Sequence, residues 1–223
     1  MSHNVSSNNL SIPRLILVPA LITLAVTLLR LAGELLNWSN FLFNREPGGP
    51  GSIIGITWLA PIFGIYFAIK LCDAGEGPAS AGRAIAYSVL SLILMFAGTF
   101  IAVASQFSFP GKEIVGLALL ILSVIFPFRV WSKLSKAMLA YGLAARIPVA
   151  ILMFFAIRGQ WGTHYDVLPP GFPPNAGFWE TYIQIGLIPQ MTIWIAFTLI
   201  TGMLAGSITA AIRQRGRQIV QPA

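Results

Sequence analysis

Six apolar runs, each about as long as a hydrocarbon layer is thick, fix the solvent of this chain before anything else does. They cover residues 12–36, 52–71, 82–105, 113–131, 134–157 and 189–212. A helix needs about 20 apolar residues to cross roughly 30 Å of bilayer core. Between the runs fall the residues that break helices: Glu46-Pro47-Gly48-Gly49-Pro50-Gly51, the segment 73–79, and Phe109-Pro110-Gly111. Composition agrees, since 56% of the 223 residues are hydrophobic and 9% are charged, against about 25% charged in soluble domains. The mean hydropathy is +0.78. The expected architecture is all-α, a polytopic integral membrane helix bundle of about six transmembrane helices, with residues 1–223 forming one transmembrane domain. The run at 15–29 imitates a secretory signal, but apolar sequence resumes after Arg30 without a small-residue cleavage site, so a retained first span is expected.

Basic residues set the orientation, because Lys and Arg in short loops stay on the cytoplasmic side. One side collects Arg14, Lys70, Arg83, Arg129, Lys133, Lys136, Arg213, Arg215 and Arg217; the other collects Arg45, Lys112 and Arg158. Nine against three predicts both termini in the cytoplasm, in a multi-pass protein of the cell membrane, a bacterial inner membrane above all. The net charge of +7 is therefore a topology signal. It lies at helix ends, forms no continuous patch, and gives no nucleic-acid surface. Cys72 is the only cysteine, which excludes an internal disulfide and a multi-thiolate metal site. No cofactor or nucleotide fingerprint occurs, so neither cofactor nor metal is expected. Membrane lipid is the expected partner.

Ionisable residues inside apolar runs are costly and therefore informative. Arg146 lies near the middle of the fifth run, where an arginine costs about 2.5–3.5 kcal/mol. It has two readings: an anion site for a lipid phosphate or a carboxylate, or a structural cation holding carbonyls near Leu143 and Ala144, or Glu34. On the first run Thr23, Thr27, Arg30 and Glu34 recur at helical spacing and share one face. Arg30 and Glu34 can pair in place, near the outer interface. Small residues form two further stripes: Ser88, Ser91, Met95, Gly98, Ala102 and Ser105 on the third run, and Thr198, Gly202, Gly206 and Ala210 on the last. Such faces let helix backbones approach closely, within the chain or between two copies of it or a membrane partner.

The longest connection, residues 158–188, carries Pro169-Pro170-Gly171-Phe172-Pro173-Pro174 among aromatics that include Trp161, Tyr165 and Trp179. Prolines and interfacial aromatics predict a loop on the outer surface, with a short interfacial helix from Trp179 to Leu187 and Pro189 opening the last span. Within it His164 could exchange protons, with Asp166 or Glu180 as its orienting partner. A metal site would be incomplete, since His3 lies on the other side of the membrane.

Three functions fit these residues. The first is a non-enzymatic small-molecule or lipid binding or transport component, or an accessory subunit, with Arg146, Arg30, Glu34, Tyr165 and Trp161 around an outward-facing site beneath the Pro-rich loop. The second is a membrane-embedded enzyme acting on a lipid-linked or periplasmic substrate through His164, Asp166 and Glu180. The third is a purely structural subunit. The lack of a carboxylate near the midplane weighs against autonomous coupled transport.

Overall fold

Backbone groups in hydrocarbon find no water, so each apolar run satisfies its own hydrogen bonds by folding as a helix. The computed structural model describes residues 10–47, 52–104 and 108–220. Its elements are α1 (Ile12–Leu35), α2 (Leu59–Asp73), α3 (Ala81–Val103), α4 (Lys112–Val130), α5 (Ser132–Gly159), α6 (Phe178–Thr181), a π-helical turn (Tyr182–Leu187), α7 (Ile188–Met191) and α8 (Ile193–Val220). The protein is a helical membrane bundle. Four of these helices, and the run from Phe178 into α8, are long and apolar enough to cross a membrane. His3, residues 48–51 and Ser105 lie outside the described residues.

Successive long helices alternate in direction. At one end, Arg213 of α8 pairs with Asp73 of α2, and Lys133 reaches Glu76 at 3.1 Å. At the other, Glu34 at the end of α1 meets His164 from the segment after α5. This second end also exposes Trp38, Trp58, Trp161 and Trp179, whose amphipathic rings suit a membrane interface, together with Phe41 and Phe109.

Two expected segments take a different form. The second run begins its helix only at Leu59, because residues 52–58 fold back on the chain before them: Ser52 Oγ donates to Leu42 O at 2.7 Å and Ile54 N donates to Leu42 O at 3.1 Å. Side-chain bonding of this kind competes with helix formation. The resulting α2 has 15 residues, about 22 Å at 1.5 Å per residue, which is short for a span. The short helix expected from Trp179 to Leu187 is present from Phe178 and continues into the last span, so the irregular loop is confined to residues 160–177. A π turn and a break at Thr192 (φ −115°, ψ −77°) interrupt the α-geometry of this run before α8.

The core between the helices is apolar, with Phe67, Leu134, Met138, Leu199, Ile200 and Met203 at its centre, but α1 turns a polar face into it. In α1 the buried positions include Thr23, Thr27, Arg30 and Glu34, while Leu17, Val18, Leu21 and Leu28 are exposed to lipid. The stripe on the last run is buried too. A Cβ built on Gly206 would lie 2.7 Å from Leu134 and 2.9 Å from Gly64 O, and one on Gly64 would strike the Gly202 backbone. The face that could have met a second copy is filled by α2 and α5 of the same chain. The α3 stripe meets α4, where a Cβ on Gly98 would lie 2.7 Å from Gly116 O.

Gly64→Ala should therefore lower stability by about 1–3 kcal/mol, since backbone cannot yield as a side-chain tip can. Gly82→Ala, with nothing within 4 Å of the new methyl, should be neutral. Thermal unfolding in detergent compares them; equal midpoints for Gly64→Ala and wild type would mean that the two helices are not in close contact.

Candidate functional site

The polar face of α1 climbs toward the interfacial end through a series of paired groups. Tyr141 of α5 donates to Thr23 Oγ1 at 2.8 Å, and Thr23 in turn donates to Pro19 O. One turn higher, Thr27 bonds to Thr23 O, and the Tyr165 hydroxyl donates to Thr27 O at 3.4 Å. At the top stands Glu34, 1% exposed. Its Oε1 accepts from Arg30 Nε at 2.8 Å and lies 2.5 Å from His164 Nδ1, while Oε2 accepts from the His164 backbone N–H at 2.9 Å. Arg45 donates to the Glu34 backbone carbonyl. Arg30 also donates to Asn44 O at 3.1 Å. Glu34 thus binds the loop to α1.

His164 therefore pairs with a carboxylate 130 residues away in sequence, which corrects the expectation of Asp166 or Glu180 as its partner. Asp166 is engaged within its own loop, accepting from Gly162 N and from Thr163 N, each at 2.8 Å, and from Thr163 Oγ1 at 2.6 Å. Glycine suits this loop because residue 162 has φ +69°. Glu180 is exposed and, among the described residues, accepts from Gln184 at 3.4 Å. Trp161 packs beside Gly159 and stays outside the central cavity. The three residues of the catalytic reading therefore do not converge. Among the described residues no cluster of metal-ligating side chains occurs.

Burial pushes the His164 pKa below its ordinary value, opposed by the hydrogen bond to Glu34 and reinforced by nearby Arg30; Asp166 and Glu34 also pull it upward. Burial likewise raises the Tyr165 hydroxyl. The lowered pKa favours the neutral imidazole, whose Nδ1–H donates to the carboxylate. A depressed histidine pKa means that the unfolded chain binds the proton more readily, so His164 contributes stability above about pH 6.5 and loses it as pH falls below that value. The thermal midpoint of wild type should drop more steeply between pH 7.5 and 5.5 than that of His164→Gln. Parallel slopes would remove His164 from the pH response.

Beneath the loop lies a cavity of about 400 Å³. Thr27 and Arg30 of α1, Arg146, Val149 and Met153 of α5, and Gln184, Gln190 and Trp194 of the last helical run line it, with Pro169 and Pro170 of the loop as its cover. Arg146 occupies the middle of α5 and is 4% exposed. Its guanidinium carbon lies 4.7 Å from the centre of the Trp194 ring. Among the described residues it makes no hydrogen bond or ion pair, and its Nε is buried without a partner. The carbonyls near Leu143 and Ala144, and Glu34, are not its partners. Gln190 Oε1 is a second buried atom without a partner.

Sequence reading missed Tyr141, Gln190 and Trp194. Gln190 carried a visible signal, an amide directly after Pro189 within an apolar run. Trp194 did not, since its importance comes from facing α5 across the bundle. Comparison with protein families, curated proteins and solved structures returned no match for this chain.

Proposed function

We propose that this membrane protein is a binding component for a small anionic amphiphile, carboxylate or phosphate, held in the cavity beneath the 160–177 loop. The observation that carries the reading is Arg146. A cation at this depth is retained at a cost of about 2.5–3.5 kcal/mol, and among the described residues no carboxylate offsets it. Arg30 and His164 both engage the Glu34 carboxylate, so Arg146 is left as a cation lining the cavity without a carboxylate partner among the described residues. A planar guanidinium grips two oxygens of a carboxylate or phosphate at once. Trp194 and the apolar groups around it suit a hydrocarbon or ring body. The nine-to-three distribution of basic residues supports a cavity end that faces away from the cytoplasm. Reporter fusions check this: the 73–79 connection should report cytoplasmic, and a reporter there that reads external would invert the orientation.

Calorimetric titration of the purified protein in lipid nanodiscs tests the binding. Decanoate and decyl phosphate should bind saturably, whereas decanol and decylammonium should not. If decanol binds as tightly as decanoate, anion recognition is excluded and the cavity is merely apolar.

A further inference from the structure

Gln190 gives the cavity a second point of recognition. The residue is 8% exposed and lines the cavity with Arg146. The amide nitrogen is engaged, donating to Met153 Sδ at 3.6 Å, while Oε1 is buried without a partner. Its position follows from the local fold, since it stands on the four-residue helix between the π turn and the break at Thr192. Turns of π geometry shift side chains around the helix axis relative to an α-helix and are found preferentially at functional sites. Trp194, one turn further on, carries the face that stacks on Arg146.

The two groups make opposite demands. Arg146 presents donors only, and Gln190 Oε1 is an acceptor only. With the amide nitrogen held on Met153 Sδ, an occupant that brings no donor leaves Oε1 buried and unpaired. Resting on the anion-binding reading above, we infer that the ligand is an anion carrying its own O–H or N–H donor, a hydroxy acid or an N-acylated amino acid, and that Gln190 discriminates it from a plain fatty acid.

Titration with decanoate, 2-hydroxydecanoate, 3-hydroxydecanoate and the 2- and 3-methoxy ethers of decanoate separates the cases. At least one hydroxy acid should bind about fivefold or more tightly than decanoate, as an otherwise unsatisfied buried acceptor gains its partner. Its methoxy ether, of similar shape but without the donor, should show no such gain. In Gln190→Met the advantage of the hydroxy acid should vanish while decanoate still binds. Equal binding of hydroxy acids and decanoate to wild type overturns the role of Gln190 and leaves anion binding standing; failure of every anion to bind overturns both. Should Gln190→Met not fold, the wild-type comparison of hydroxy acid with ether decides alone.

Discussion

Glu34→Leu is expected to lower stability by about 3–5 kcal/mol, the cost of leaving a buried charge and its donors without their partner. The carboxylate accepts from Arg30 Nε, the His164 backbone and His164 Nδ1, and its side chain is wholly buried. Leucine fills the volume but accepts nothing. Replacing Arg30 as well removes the stranded cation, so Arg30→Leu/Glu34→Leu should recover part of the loss, a coupling that a double-mutant cycle measures. Because Glu34 also holds the loop, amide exchange across residues 163–167 should accelerate in the single variant. Wild-type stability for Glu34→Leu, with unchanged exchange, would show that the loop is held by other contacts.

Arg146→Leu should behave in the opposite way. Removal of an uncompensated cation from the bilayer interior recovers about 2.5–3.5 kcal/mol, and loss of its contact with Trp194 subtracts about 0.5–2. The variant should therefore fold at least as stably as wild type. Decanoate affinity should nevertheless fall about 10- to 100-fold, the worth of hydrogen bonds to a charged group. Arg146→Lys keeps the charge without the fork and should lie between the two. A Leu variant that is markedly less stable, with or without ligand, would identify Arg146 as a structural strut. Unchanged affinity in a stable Leu variant would separate the residue from binding altogether.

Much of the architecture is legible because bilayer thickness and helix rise are fixed lengths, so an apolar run of sufficient length leaves little choice of form. The face holding Thr23, Thr27, Arg30 and Glu34 is legible for a related reason: spacing of three and four residues puts these side chains on one side, and polar groups avoid lipid. Arg146 declares itself by depth alone. What the sequence does not reveal is pairing over distance. His164 has a carboxylate two residues away and uses one on α1, since Asp166 is consumed by the backbone N–H groups of its own turn. The late start of α2 depends on Ser52 reaching Leu42. The cavity is invisible to periodicity because its wall comes from α1, α5, the loop and the last helical run together.

The most direct measurement is a density map of the protein purified from its native membrane without added ligand. The expected result is non-protein density bridging the Arg146 guanidinium and Gln190 Oε1, with oxygen-like atoms about 2.7–2.9 Å from the guanidinium nitrogens and an apolar body beside Trp194. The contradictory result is a cavity free of such density in which Arg146 turns to bond backbone carbonyls of its own helix.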